Sequence, residues 1–320
     1  MNLRYTAMLS RSWAGAGIAA ILAPLVCHAQ AVAIGAGYAA PRPIDAAPGQ
    51  VITLFVRIPG KTVSGPVTAQ PPLPTMFAGF SVLLRQSFPS DPMSVPIQAE
   101  ADSQSCSALV PTQCDVVSMV TVQIPFQLTP NIPRTRLPQN FARLDISYSG
   151  NTATSLILNP VTDRIHVVNT CDVLVNSPQN NCVSQVAHPD GTVVSLEQPA
   201  RVGETLTMSL VGLGQPDQTV ATGAASPQPA VPVSEVLLSF DPRVNASPGM
   251  PVPDSAQPAS AQLLPGAVGI YQVTFTVPAL PDGTPACGDS IQSNLAVSVG
   301  RVTSYDGVAI CVAPGGAPQQ

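Results

Sequence analysis

The sequence predicts an all-β protein of two tandem β-sandwich domains behind a cleaved export signal. Three observations carry this reading. The 320 residues include 36 prolines and 23 glycines. Short period-two apolar segments end at glycine or proline, as in Ala47–Val56 before Gly60 and in Val120–Pro125. Those segments recur about 150 residues further on. Proline removes a backbone donor and glycine opens turn conformations, so long helices are disfavoured while turns and strand edges are favoured.

The elements follow in chain order. Arg4 and Arg11 precede an apolar stretch from Ala14 to Val26, and Cys27-His28-Ala29 supplies small residues before Gln30. This is the order of a secretory signal peptide, expected over residues 1–29. Its apolar part is shorter than the roughly 20 residues that a membrane-spanning helix needs. Lipidation at Cys27 is the rival reading, but Pro24, Leu25 and Val26 fit it poorly. Residues 30–44 are expected to be a flexible mature N-terminus, including Gly35-Ala-Gly37, which only loosely resembles a dinucleotide-binding pattern.

The first domain is expected over residues 45–168 and the second over 169–313, with a disordered tail at 314–320. Ala47–Gly60 parallels Arg201–Gly214 at an offset of 154; Val120–Pro125 parallels Val273–Pro278 at 153; the hairpin turning at Gly150 parallels the one at Gly300 at 150. Three landmarks in one order with near-constant spacing indicate duplication of one β domain. Asp190-Gly191 between apolar flanks predicts a further hairpin at the start of the second domain. Pro66–Pro74 and Pro242–Pro265 read as long irregular loops, the expected variable surface. Tyr271 and Phe275 are expected to mark a core face, with Val273 turned the other way. About seven short strands per domain with turn punctuation suggest a Greek-key sandwich.

Six cysteines remain once the signal leaves: Cys106, Cys114, Cys171, Cys182, Cys287 and Cys311. An even number in an exported chain implies disulfides. Of the fifteen connectivities that six cysteines allow, proximity favours 106–114, 171–182 and 287–311. The spacing matches no zinc motif.

Asp190–Ser195 and Gln198–Gly214, then Leu264–Pro278 and Leu295–Ser304, resemble the Solibacter-type C-terminal module, a bacterial exported family. Ala47–Phe55 and Val120–Leu128 resemble it more weakly. The resemblance implies tandem immunoglobulin-like domains of the IPT/TIG type and brings no functional residue with it. Six cysteines and the insertion Asp241–Gln262 depart from its pattern.

Charge narrows the functional classes. Loss of Arg4 and Arg11 leaves a net charge of −7 and a single lysine, Lys61. Nucleic-acid binding and electrostatic docking on anionic membranes both need basic patches, and no later segment suits a membrane helix. His166 and His188 are the histidines open to a hydrolase, and both are expected to be structural. Asp254, Asp282, Asp289 and Asp306 stand singly in turns, not clustered as calcium requires. No catalytic, cofactor or metal residue is assigned, and no enzymatic activity is expected. The expected role is a secreted, periplasmic or surface module for adhesion, scaffolding or protein contact, its partner an extracytoplasmic protein or surface component. The alternatives are a carbohydrate- or matrix-binding domain and a secreted hydrolase.

Overall fold

The computed structural model describes residues 31–42, 44–106, 114–131, 139–173, 182–240, 257–279, 295–300 and 304–313. The signal segment, Cys287, Asp254, Asp282, Asp289 and the tail beyond 313 lie outside the described residues.

The described elements are strands. The principal ones are β1 (Val32–Gly37), β2 (Val51–Ile58), β3 (Phe80–Gln86), β4 (Ile97–Cys106), β5 (Cys114–Gln123), β6 (Ala142–Tyr148), β7 (Asn151–Pro160), β8 (Thr205–Val211), β9 (Val236–Phe240), β10 (Ser260–Leu263), β11 (Tyr271–Thr276), β12 (Leu295–Val299) and β13 (Tyr305–Val308). In the first half, β1-β2-β5-β4 form one sheet and β7-β6-β3 the other. In the second half, β8-β11-β10 face β9-β12-β13. Alternation sends one side chain in two inward. Ile52, Leu54 and Val56 of the first sheet therefore meet Val82, Leu84, Leu144 and Ile146 of the second in one core. Leu206, Met208, Leu210, Leu238 and Val297 do the same in the other half.

The two halves share one strand-pair register. Ile52, Leu54 and Val56 pair with Val122, Val120 and Ser118. Leu206, Met208 and Leu210 pair with Phe275, Val273 and Tyr271. The offsets of 154 and 153 residues thus superpose two strand pairs residue by residue. The hairpins at Gly150 and Gly300 likewise join β6 to β7 and β12 to β13.

Several expectations need correction. Within the stretch expected to be a free N-terminus, Val32–Gly37 and Pro41–Arg42 are strand: β1 pairs with β2, and Pro41–Arg42 folds back on β1. Gly35-Ala-Gly37 lies in that strand, where Ala36 joins the core. Strand β7 ends at Pro160, while Ile165 and Val167 already pack in the second core. Val273 faces the same core as Tyr271 and Phe275, because residues two apart share one face of a strand. Parts of the proline-rich loops are structured as well. Val67–Thr68 adds to the edge of β4, Leu73 is buried, and Ser260–Leu263 is a core strand.

Cys106 and Cys114 are joined across the β4–β5 hairpin, and Cys171 and Cys182 close a second loop. Cys311 is also disulfide-bonded. Export proteins commonly use such closures to restrict the unfolded chain.

Candidate functional site

The two sandwiches meet along a tight junction. Val51, Val168 and Val211 form a small apolar cluster there. Leu73 N–H donates to Gly223 O (2.8 Å), and Gly223 N–H donates to Gln123 Oε1 (2.6 Å). Phe126, from the first half, packs into the second core. Gly49 sits under its ring at φ +73°, where an added Cβ would lie 2.0 Å from the ring. Only glycine fits both that backbone conformation and that approach.

A cleft of about 340 Å³ opens beside the junction. Strand β1 delivers Tyr38 to one wall, and the short strand His166–Val167, paired with β8, delivers His166 to the other. The two rings stack with centroids 3.7 Å apart at 10°. Gln50 Nε2 donates to the Tyr38 hydroxyl (2.7 Å), and Val173 N–H donates to Tyr38 O (3.0 Å). Burial of the hydroxyl, first among the causes, raises the Tyr38 pKa.

His166 is held by two carboxylates. Its Nε2 lies 2.8 Å from Asp172 Oδ2 and its Nδ1 lies 3.4 Å from Asp306 Oδ2. Asp172 is fully buried and also accepts Asn169 N–H. Its loop is closed by the adjacent Cys171–Cys182 disulfide. Asp306 accepts Val167 N–H (2.8 Å). Burial pulls the imidazolium pKa down, but the bonds to Asp172 and Asp306 outweigh it, and the pKa rises to about 9. His166 is therefore a cation at neutral pH, with both ring nitrogens turned to carboxylates. A general base would need a free nitrogen facing a nucleophile; this ring instead ties the start of the second sandwich to β13. Arg164 Nε lies 3.8 Å from Asp45 Oδ2 at the cleft wall.

His188 occupies the Asp190-Gly191 hairpin, where His188 N–H donates to Thr192 O. Its Nδ1 lies 2.7 Å from Glu204 Oε1 and its Nε2 3.1 Å from Gln198 O. The bond to Glu204 raises its pKa, with burial opposing. The two histidines are not brought together. Asp306 serves His166 and two backbone amides, Val167 and Gly307. Among the described residues, no group of three or more His, Cys, Asp or Glu side chains could hold a metal ion.

The sequence reading missed a second cluster, Lys61 with Glu100 and Asp102. Glu100 and Asp102 both point inward from β4, and Lys61 reaches them from the turn after β2. The signal was available: one lysine in the chain and an acidic pair two residues apart on a strand share one face. Tyr38 and Asp172 carried no such signal.

No protein-family model and no curated protein matches this chain.

Proposed function

We propose that the chain is an exported, non-catalytic contact module, two immunoglobulin-like domains of the Solibacter-type kind that hold a protein partner outside the cytoplasm. The observation that carries this reading lies on the outward face of β6 and β7. Phe141 is 71% exposed and Ile157 76% exposed, beside Arg85 and Arg143. Aromatic and arginine side chains are the residue types enriched at the centres of protein interfaces. The interlocked junction supports the reading, because a rigid body presents such a face without an ordering cost on binding. The disulfides suit an oxidising compartment, and among the described residues no helix is long and apolar enough to cross a membrane.

Immobilised mature protein is expected to retain a specific protein from surface extracts, and Phe141→Ser with Ile157→Ser is expected to release it. Retention of the same proteins by wild type and double variant overturns the assigned face; retention of none overturns the role. Export predicts a mature chain beginning at Gln30, read by N-terminal sequencing; an intact Met1 or a lipid on Cys27 overturns cleavage after Ala29.

A further inference from the structure

The Lys61 cluster has a composition suited to covalent chemistry. The side chains of Lys61, Glu100 and Asp102 are 6%, 2% and 0% exposed. Lys61 Nζ contacts Asp102 Oδ2 directly and lies 2.9 Å from Glu100 Oε1. The rings of Phe80 and Tyr148, from the opposite sheet, stand 5.9 and 6.0 Å from it. The Asp102 carboxylate is clamped: Ser118 Oγ donates to Oδ1 (2.6 Å), and Ser64 N–H and Oγ donate to Oδ2 (2.9 and 2.7 Å). A lysine nitrogen and a carboxylate oxygen are thus kept in contact, their side chains largely shielded from water, with donors already aimed at the carboxyl oxygens.

We propose that Lys61 and Asp102 condense, once the first sandwich has folded, into an amide between Lys61 Nζ and Asp102 Cγ, with Glu100 as the proton carrier. The ammonium gives one proton to the Asp102 carboxylate, leaving a neutral amine and a neutral acid. The amine lone pair attacks Cγ, and Ser118 and Ser64 stabilise the charge that gathers on the carboxyl oxygens, as preorganised donors do. Glu100 takes the second proton from the nitrogen and delivers it to the departing hydroxyl. The C–O bond breaks and one water leaves. Ammonium plus carboxylate become amide plus water, with no change of oxidation state.

Two physical terms favour the step. Held groups react with effective concentrations that reach about 10⁵ M or more, which offsets the unfavourable condensation seen in bulk water. The product also replaces two buried charges, each costly to desolvate, with one neutral group. At rest the pair is ionic: burial would lower the Lys61 pKa, but its bonds to Asp102 and Glu100 outweigh that and raise it, so the first proton transfer works against this preference and rests on the held geometry. Burial raises the Glu100 pKa, and although Lys61 opposes this, the carboxyl ends above its usual range. Burial would raise Asp102 too, but bonds from Lys61, Ser118 and Ser64 outweigh it and hold that carboxyl well below its usual range.

Intact mass spectrometry of the folded mature protein tests the bond. Wild type is expected to be lighter than its sequence by one water beyond the hydrogens lost to disulfides, with a cross-linked peptide joining the segments around residues 61 and 102. Lys61→Arg and Glu100→Gln are expected to restore that water. Because Lys61 is the sole lysine, a second measurement needs no variant. Reduced and denatured wild type is expected to leave Lys61 unlabelled by an amine-reactive acylating reagent, which then marks only the N-terminus. A wild-type chain at full mass, a labelled Lys61, or a missing water that maps elsewhere overturns the proposal. Persistence of the bond in Glu100→Gln overturns the role of Glu100.

Discussion

The two sandwiches place the same backbone positions around very different side chains. On the shared register, Ser118, Glu100 and Asp102 of the first half correspond to Tyr271, Ala261 and Leu263 of the second, and Lys61 corresponds to Gln215. One half closes the end of its core with a lysine, two acidic side chains and a serine. The other closes it with Tyr271, which donates its hydroxyl proton to Gly214 O. The backbone evidently tolerates either solution, because a strand pair specifies where a side chain points and not what it is. The difference lies in dependence. A charge cluster is stable only when complete, since each member left alone is a buried uncompensated ion, whereas Tyr271 rests mainly on apolar contact.

Substitutions that convert one half toward the other break or sharpen this contrast. The largest effect is expected for Lys61→Met, which removes whatever Lys61 makes with Asp102, amide or ion pair, and leaves Glu100 and Asp102 buried without it. By analogy with broken buried pairs it should cost about 3–5 kcal/mol in urea denaturation. Adding Glu100→Ala and Asp102→Leu, the residues of the second half, should recover most of that loss; a triple variant no better than Lys61→Met would mean that the charges are not what the site depends on.

The junction supplies an intermediate case, a cation between two carboxylates that can be discharged. His166 has a folded pKa of about 9 against an ordinary 6.5. Its contribution is therefore complete below about pH 6.5 and is lost as pH rises through about 9. The span is worth on the order of 3 kcal/mol. Denaturation midpoints measured across that window should fall for wild type and stay flatter for His166→Gln. A wild-type profile no steeper than the variant's would remove His166 from the junction's stability. The smallest effect is expected for Tyr271→Phe, which removes one hydroxyl while keeping the ring. A loss of about 1 kcal/mol is expected, well short of Lys61→Met. A loss as large as that of Lys61→Met would show that both halves depend equally on their polar groups.

Much of the architecture was legible. Period-two segments such as Ile52-Thr53-Leu54-Phe55-Val56 and glycines at repeated offsets indicate strand, turn and duplication directly, because alternation and positive φ are local properties. The reading failed where distant contact overrides composition. Gly35-Ala-Gly37 looks flexible by itself, yet β2 supplies the partner that makes it a strand. Leu73, inside a proline-rich loop, is buried because the second sandwich covers it through Gly223. Neither Tyr38 nor Asp172 stands in any motif, so the stack and ion pair they make with His166 had no linear trace.

By itself, then, the sequence determined the strand class and the repeated spacing of the two halves, and its short separations favoured the cysteine pairs 106–114 and 171–182 that close local loops. These depend on neighbours a few residues apart or on a repeat visible at one offset. Tertiary structure alone decided which charges meet. Lys61 reaches partners 39 and 41 residues away, and His166 lies between Asp172 and Asp306. Such meetings depend on which strands pair and in what register, where a slip of one residue would turn Glu100 and Asp102 from the core to the solvent.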